Sequence, residues 1–351
     1  PASVAPISQP TEPLDMSSSG PRDSSLITEV TRRAMATEFA VLLPAHHSDA
    51  VEVAVEALEQ LDAIEASLTV YQPESEVSRV NRDAFARPVT LTPATFALIQ
   101  RSILWSERTD GAFDITAGPL VEAWGFTRRR GRKPSAAEVG AALQRVGYQH
   151  LRLDQDRRSV HFAKQGMSIN LGGIGKGDAL DRTAARLKRD GITDFLLHGG
   201  SSSVVASGDQ EAGSELGWAV GIAHPTKPKR RLGGIWLRDQ ALATSGSGKQ
   251  FFHHRGKRYG HVIDPRTGFP AGDLMALTVI MNSAADADAC STGLFVGGKQ
   301  AISKSTAWEI PAMITIAAGA RQDEVDVESI GQVPWVTDED GAIGGVSRDP
   351  L

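Results

Sequence analysis

Apolar side chains spaced three and four residues apart predict the first helix of the chain. This stripe follows an apolar strand predicted at 39–43, which Pro44 ends, and Ser48 or Asp49 can cap the helix. Residues at such intervals share one helix face, so we expect that face to be buried. The stripe consists of Val51, Val55, Leu58, Leu61, Ile64 and Leu68.

Start and stop signals predict two further helices before residue 147. Thr92-Pro93 is an N-cap and first-turn pair, and it opens a helix that continues through Leu104 to about Asp110-Gly111. The segment S-A-A-E at 135–138 is a capping box for a helix that reaches Val146-Gly147. The first half of the chain is therefore expected to be mainly helical.

Beyond residue 147 the apolar runs become short, which is typical of strands in a largely antiparallel sheet. A helix predicted at 177–189, which Gly191 ends, interrupts them. Because helices and strands mix without strict alternation, we expect an α+β fold with helices packed on the sheet. The predicted strands lie at 150–154, 159–162, 194–197, 218–220, 234–238, 277–281 and 313–316.

The length of 351 residues allows two domains or one large mixed fold. Residues 1–25 are rich in Pro, Ser and Ala and have few large apolar side chains, so we predict a disordered N-terminal tether. We assign residues 26–340 to one folded domain and residues 341–351 to a C-terminal tail. The start of the chain has neither a basic segment nor an apolar signal core, which is typical of a processed or trimmed chain.

Charge and cysteine content narrow the classes of partner. The chain has 37 Lys and Arg residues and 42 Asp and Glu residues. The resulting net charge of −5 argues against general binding to nucleic acid or to anionic membranes. The single cysteine, Cys290, cannot form an internal disulfide, and it leaves the compartment open. No run of apolar residues is long enough to predict a transmembrane helix.

A glycine-rich turn, I-N-L-G-G-I-G-K-G-D-A-L-D at 169–181, joins a predicted strand to a helix. Such a turn directs backbone N–H groups and the positive end of the helix at an anion, and Lys176 adds a charge. Asn170 and Gly177 stand where a P-loop requires glycine and Ser or Thr, so this is not a P-loop. From these residues alone, a phosphate site and a tight turn with an exposed lysine are equally supported.

A histidine segment, H-V-I-D-P-R-T-G, occupies 261–268. A histidine alone is more often packed or on the surface than catalytic. His261 is accompanied within one turn by Asp264, Arg266 and Thr267, and this combination favours acid–base or anion chemistry.

An acidic helical segment, A-D-A-D-A-C-S-T-G, occupies 285–293. Asp288 and Thr292 are four residues apart and share one helix face, and their oxygens are ligands suited to magnesium rather than zinc. Without further context, an ordinary capping aspartate and a surface threonine explain the pattern better. Cys290 faces elsewhere, and we expect it to be a small buried apolar residue.

Taken together and in order, these segments resemble the ApbE family, the FAD:protein FMN transferases. Each match is weak alone, but together and in register over about residues 33–300 the matches are specific to that family. The matching segments are M-A-T at 35–37, S-E-V-S-R-V-N at 75–81, G-A-F-D-I-T at 111–116 with W-G-F at 124–126, L-G-G-I-G-K-G at 171–177 with Asp181, T-S-G at 244–246, H-V-I-D-P-R-T-G at 261–268 and A-D-A-C-S-T at 287–292.

The resemblance implies a T-fold-like α+β enzyme that binds FAD and Mg²⁺. Such an enzyme splits the FAD pyrophosphate, moves FMN onto a threonine hydroxyl of an acceptor protein and releases AMP. The acceptor pattern of the family is D-G-x-[ST]-[GS]-A-T, which this chain lacks, so we do not expect it to label itself. Family members are typically exported and often lipid-anchored, which implies a periplasmic or outward-facing protein.

The resemblance also assigns roles to single residues. It implies a metal site at Asp288 and Thr292 with the backbone carbonyl of Gly175. It implies His261 as the base that deprotonates the acceptor, and we add Asp264 and Lys176 to the catalytic set. We expect contacts to FAD from Met35, Tyr71, Thr116, Gly173, Lys176, Asp181 and Thr267.

Several residues depart from the family pattern, and because of them two alternative functions stay open. Ala36 stands where glycine is usual, Gly175 where alanine is common, and Asp178 where tyrosine follows the Lys-Gly pair. Ser247-Gly248 replaces a more common Asp-Tyr, and H-G-G-S-S-S at 198–203 replaces Asn-x-Gly-Gly-Asp. The alternatives are a magnesium-dependent FAD pyrophosphatase that yields FMN and AMP, and a non-catalytic flavin-binding member of the family.

Overall fold

Strands account for much of the second half of the chain, as the sequence predicts. The computed structural model describes residues 3–6, 27–127, 131–227, 229–248, 251–321 and 324–337. The strands are β1 (Ser3–Pro6), β2 (Thr28–Ala34), β3 (Thr37–Leu43), β4 (Val89–Thr90), β5 (Leu151–Asp154), β6 (Ser159–Phe162), β7 (Phe195–Gly199), β8 (Ser203–Ser207), β9 (Trp218–Ala223), β10 (Arg231–Leu237), β11 (Gln240–Gly246), β12 (Phe251–His254), β13 (Lys257–Gly260), β14 (Ala276–Met281), β15 (Ala312–Ala318) and β16 (Val325–Gly331).

Nine of these strands form one sheet in the order β1-β2-β3-β7-β8-β11-β14-β15-β16. Every neighbouring pair is antiparallel, which confirms the predicted α+β class. At the centre of the sheet, β11 lies between β8 and β14. The smaller sheets are β9 with β10, β12 with β13, and β4-β6-β5.

Helices cover one face of the sheet and carry most of the motifs. The α-helices are α1 (Val51–Leu68), α2 (Glu76–Asp83), α3 (Pro93–Arg108), α4 (Gly118–Ala123), α5 (Ala136–Leu143), α6 (Gly175–Arg189) and α7 (Ala284–Lys304), and 3-10 turns lie at Ala45–Ala50, Ile115–Ala117, Tyr148–His150 and Ser305–Ala307.

The first helix follows its predicted stripe but begins differently. Leu58, Leu61 and Ile64 are fully buried or nearly so, as the three-and-four spacing requires. The prediction that Ser48 or Asp49 caps this helix is wrong, because both residues lie inside the 3-10 turn that precedes α1. A strand end and a helix start are thus joined by a continuous turn of helix rather than by a cap.

Three groups of buried side chains hold the molecule together. Alternate residues of β8 face different groups: Val205 joins the large core under the helices, and Val204 joins a second core covered by β9 and β10. A third, small core lies away from the sheet and consists of Leu120, Trp124, Val139, Ala142 and Ile263. This third core supports the segment that contains His261.

Only part of each chain end lies within the described residues. Ser3–Pro6, inside the segment predicted as a disordered tether, pair with β2, and the rest of 1–25 lies outside the described residues. The tail at 341–351 also lies outside them. Within the described ranges, no helix has both the length and the apolar character needed to span a bilayer.

Candidate functional site

The glycine turn is fixed from below by the S-E-V-S-R-V-N segment. The strand predicted before the turn does not form, since residues 169–171 have no regular secondary structure. Instead, Asn81 replaces a neighbouring strand: its Nδ2 donates to the Ile169 carbonyl at 3.0 Å, and the Ile169 N–H donates to its Oδ1 at 2.7 Å. This explains why an asparagine in α2 belongs to a motif that is distant in sequence.

The turn then enters α6 in close contact with α7. The Gly177 N–H donates to Asp288 Oδ2 at 2.8 Å. A Cβ on Gly177 would lie 2.6 Å from the Cα of Ala285, so only glycine permits this approach. Gly177 is therefore required by helix packing, and its N–H holds the carboxylate of α7.

Lys176, Ser203 and Asp288 form a charged cluster where α6, β8 and α7 meet. Lys176 Nζ donates to Ser203 Oγ at 2.6 Å, and Ser203 Oγ donates to Asp288 Oδ1 at 2.8 Å. Lys176 Nζ also lies 3.5 Å from Asp288 Oδ2, and Asp288 is only 7% exposed. The structure thus brings together two predicted residues, one from the glycine turn and one from the acidic segment.

A second cluster, of hydroxyl groups, adjoins Asp288 along the same helix. Ser245 Oγ lies 2.9 Å from Ser291 Oγ and 3.1 Å from Thr292 Oγ1. Gly173 passes above Thr292, because a Cβ on Gly173 would lie 3.5 Å from Thr292 Oγ1. Ser245 belongs to the T-S-G segment of β11, so three separate segments converge here.

Ser203 and Ser245 were not among the predicted site residues. Ser203 ends a glycine-rich segment at 198–203, and Ser245 lies in the T-S-G segment at 244–246. A glycine-rich turn that enters a strand is the signal that could have marked Ser203. The contact of either hydroxyl with α7 depends on the sheet order, which short motifs do not reveal.

Asp181 has structural partners in the first turn of α7, and its flavin contact stays a prediction. Its carboxylate accepts hydrogen bonds from Ser283 Oγ at 2.6 Å and from the N–H groups of Ala284 and Ala285 at 2.8 and 3.0 Å. Burial raises the pKa of Asp181, although these donors act in the opposite direction. Asp181 therefore anchors the first turn of α7, the helix that carries Asp288 and Thr292.

Thr116 is likewise committed to the protein interior. It has no exposed surface, its Oγ1 donates to Asp114 Oδ1 at 2.7 Å, and it accepts from the Gly147 N–H at 2.7 Å. Burial raises the pKa of Asp114. Thr116 thus joins two loops, and its contact with FAD stays a prediction.

Met35 and Tyr71 differ in their surroundings. Met35 lies in the hairpin turn between β2 and β3, and its Cε would be 3.7 Å from a Cβ placed on Gly175. Gly175 is buried at this contact. Tyr71 is 68% exposed and follows α1. Met35 therefore borders the glycine turn, and Tyr71 offers an open ring surface.

The histidine segment is shaped by an ion pair. Both oxygens of Asp264 accept from the Arg266 guanidinium, at 2.8 and 2.9 Å, and Oδ1 also accepts from the Arg266 N–H. The Asp264 carboxylate raises the pKa of Arg266. Through these hydrogen bonds Asp264 holds the turn, and its catalytic role stays a prediction.

Trp124 supports the same turn from the small core. Its Nε1 donates to the Gly268 carbonyl at 2.9 Å, and its ring centroid lies 5.5 Å from that of Tyr259. His261 lies 6.4 Å from the Phe126 ring in an edge-on arrangement and is partly exposed, while Thr267 is exposed. The W-G-F and H-V-I-D-P-R-T-G segments are therefore one structural unit.

Comparison with known proteins places these motifs in one family, because the model of the ApbE family matches residues 35–314. The chain belongs to the ApbE family. An ApbE-family relative named FAD:protein FMN transferase, from Salmonella typhimurium, is 33% identical over 258 residues, which cover 72% of this chain and 73% of the relative. The relative of that name from Escherichia coli K12 is 32% identical over 69% of this chain and 70% of its own length. The chain is thus a transferase, as the sequence predicts.

Solved ApbE structures share the fold as well. The ApbE protein from Thermotoga maritima has a TM-score of 0.77 at 29% identity, with 85% of this chain and 97% of that chain covered. The apo flavinyl transferase ApbE of Pseudomonas stutzeri has a TM-score of 0.76 at 27% identity and covers 88% of this chain and 96% of its own. These likenesses confirm the predicted ApbE fold.

Two departures from the usual ApbE pattern have structural consequences. Ala36 adopts a φ of 60° in the hairpin turn, a conformation that favours the glycine usual at this position. Asp178 lies 3.5 Å from Arg182, but burial still raises the pKa of its carboxyl. Both residues therefore add local strain or desolvation that the more common residues avoid.

Proposed function

We propose that this protein transfers FMN from FAD to a threonine hydroxyl of an acceptor protein, in a magnesium-dependent reaction that releases AMP. The observation that carries the proposal is the buried cluster of Lys176, Ser203 and Asp288 beside the glycine turn. Its support is the membership of a family whose relatives are named FAD:protein FMN transferase.

The donor set at α7 fits a magnesium ion. Asp288 supplies a carboxylate and Thr292 a hydroxyl, and Ser245 adds a second hydroxyl within 3.1 Å of Thr292. These are hard oxygen donors, which Mg²⁺ prefers, and burial raises the pKa of Cys290 so that no thiolate competes. Asp288, Thr292 and the Gly175 carbonyl would hold the ion, which would supply neutralising charge to the FAD pyrophosphate.

The glycine turn and Lys176 would bind the pyrophosphate. In the structure, the ammonium group of Lys176 is directed at Ser203 and Asp288. A phosphate oxygen would offer Lys176 a second anionic partner. Gly173 lies above Thr292, so this turn would bring the phosphates next to the metal residues.

His261 would act on the acceptor. In the proposed step its neutral imidazole accepts the proton from the threonine hydroxyl, and the threonine oxygen forms a bond to the phosphorus of the FMN part. The bond from that phosphorus to the bridging oxygen breaks, and the oxygen leaves as part of AMP. Asp264 and Trp124 would position this histidine by holding the turn that follows it.

The test is flavin transfer to an acceptor fragment that contains D-G-x-[ST]-[GS]-A-T, incubated with FAD and Mg²⁺. We expect covalent flavin fluorescence on the acceptor, and we expect His261→Ala to abolish it while FAD affinity stays within about threefold. His253→Ala is the matched control, because His253 is an exposed histidine of the β12–β13 hairpin.

Other outcomes separate the alternatives. AMP release without an acceptor, with no labelled threonine, would assign FAD hydrolysis instead of transfer. Tight FAD binding without AMP release would make the protein a flavin-binding member without turnover. Either result would overturn the proposed transfer.

A further inference from the structure

A group of three side chains that can bind a metal ion lies outside the candidate site. His46 and His47 lie in the 3-10 turn Ala45–Ala50, between β3 and α1, and Asp194 immediately precedes β7. Pairing of β3 with β7, with Leu42 opposite Leu196, brings the turn beside Asp194. Ser203 follows the other end of β7, and five strand residues span about 17 Å, so this cluster is separate from the candidate active site.

The spacing of the three side chains suits a tetrahedral metal ion. The Nε2 atoms of His46 and His47 each lie 3.5 Å from Asp194 Oδ2. The three ligand atoms all lie within 4.8 Å of one another. Ligands about 2.1 Å from a tetrahedral zinc are separated by about 3.4 Å, so the two nitrogen-to-oxygen distances already match the edges of such a site.

The carboxylate is held in place by its neighbours. Asp194 Oδ1 accepts from the Asp209 N–H at 2.8 Å, and the Thr193 hydroxyl donates to Oδ2 at 2.8 Å. A Cβ on Gly208 would lie 2.8 Å from the Cγ of Asp194, so the carboxylate occupies space that only a glycine leaves open. Such outer partners are typical of built metal sites, where they orient the ligand.

The histidines are also positioned to bind. The His47 N–H donates to the Pro44 carbonyl at 2.9 Å, which closes the turn. Its Nε2 is buried without a hydrogen-bond partner. This buried nitrogen has lost hydration and has only the 3.5 Å contact with Asp194 Oδ2 in its place, and a metal ion would restore a bond to it.

We propose that His46, His47 and Asp194 bind one divalent transition-metal ion of the zinc class. Two imidazoles and one carboxylate select Zn²⁺, Ni²⁺ or Co²⁺ over Mg²⁺, so this site and the magnesium residues on α7 take different ions. Three protein ligands leave a fourth position for water. The bound ion joins the start of β7 to the turn that leads into α1.

The experiment uses the untagged full chain, freed of metal with a chelator and kept in excess Mg²⁺ to occupy the oxygen site. Native mass spectrometry and calorimetric titration with Zn²⁺ measure the stoichiometry and affinity. We expect one Zn²⁺ per chain, a higher melting temperature with Zn²⁺, and an affinity at least about 100-fold weaker in His46→Ala/His47→Ala.

The matched control is His253→Ala/His254→Ala. These two histidines are also adjacent, but they lie on strand β12, where successive side chains point to opposite faces and cannot chelate together. We expect this variant to bind Zn²⁺ as the unaltered protein does. A metal-free thermal melt of each variant checks that the fold is kept.

Two results would overturn the proposal. One is equal Zn²⁺ affinity in the two double variants, and the other is no binding by the unaltered chain at 100-fold excess of Zn²⁺ over protein. In either case the cluster is an ion-pair group, in which protonated histidines contact Asp194. Co²⁺ in place of Zn²⁺ gives an independent readout, since Asp194→Asn should remove its tetrahedral absorption bands.

Discussion

The two parts of the candidate site are built in different ways. The glycine-turn region places Lys176, Ser203 and Asp288 on two helices and a central strand, with each side chain bonded to the next. The histidine region places His261 on a turn supported by Trp124 and by the Asp264–Arg266 ion pair, over a small core of its own. The first is part of the main core, and the second is attached beside it.

This difference suggests a division of tasks. In the proposed reaction, phosphate and metal binding would need fixed charges, which a region held between α6, α7 and the sheet would supply. An acceptor protein must approach the flavin from outside, and the smaller region presents its histidine on a peripheral turn. We therefore expect changes in the first region to affect FAD binding and changes in the second to affect transfer.

The largest expected effect comes from Trp124→Ala in the histidine region. Trp124 is fully buried and bonded to the Gly268 carbonyl, so its removal should lower the free energy of unfolding by about 3–5 kcal/mol. Denaturant unfolding measures this loss, and Trp124→Phe should recover part of it. FAD affinity should change much less than the transfer rate, and an equal loss of both would show that the two regions are not separate.

The next largest effect is expected from Gly177→Ala in the glycine-turn region. The added methyl would collide with the first turn of α7, at a cost of about 1–3 kcal/mol, and would weaken FAD binding. The matched control is Gly140→Ala on the exposed side of α5, where nothing lies within 4 Å of the new Cβ. That control should stabilise the protein by about 0.5–1 kcal/mol. Similar unfolding curves for both variants would contradict the close contact of α6 with α7.

Ala36→Gly should raise the free energy of unfolding, by less than Gly177→Ala lowers it. Ala36 has a φ of 60° in the turn beside Met35, and glycine removes about 1 kcal/mol of backbone strain there. Chemical denaturation should show a more stable protein, with FAD binding unchanged or improved. A loss of stability would mean that the methyl group makes contacts that outweigh the strain.

The smallest effect is the response of the two regions to pH. Burial raises the pKa of Asp178 on α6, so its ionised form costs stability at pH 7, and protonation removes that cost as the pH falls. Hydrogen bonds from Arg132 and Ser135 lower the pKa of Glu138 on α5 to about 2, so its contribution is complete above pH 4.5 and is lost toward pH 2.

Thermal unfolding of two variants checks these signs. Asp178→Asn should raise the melting temperature at pH 7, and this gain should shrink as the pH falls. Glu138→Gln should lower it at pH 7, and this loss should shrink only near and below pH 4.5. Shifts of the same sign in both variants would contradict the assigned environments.

Helices and strands with a clear local signal in their own sequence were predicted correctly. The Ser135–Glu138 capping box forms as predicted, and the strand predicted at 159–162 is β6. Strand β2 was missed because its sequence T-E-V-T-R-R-A carries charges on its outward face and buries only Val30 and Ala34. Helix α2 was missed because it is short and mostly polar.

Residue types alone could not decide which partner each polar group finds. Asp181 anchors α7 and Asp264 binds Arg266, while the flavin contact of the first and the catalytic role of the second stay predictions. The partners of Asp181 come from the start of α7, a segment brought close by the fold, whereas the partner of Asp264 lies two residues away in the same motif. Lys176 and Asp288 belong to motifs that are distant in the sequence, and the structure brings them into contact, as the family resemblance implies.

The most direct measurement of the central claim is the intact mass of an acceptor protein after incubation with this chain, FAD and Mg²⁺, together with the amount of AMP released. We predict an acceptor heavier by one FMN on its threonine, one AMP for each FMN transferred, and neither product with Asp288→Asn. An unmodified acceptor in the presence of bound FAD, or full transfer by Asp288→Asn, would contradict the account.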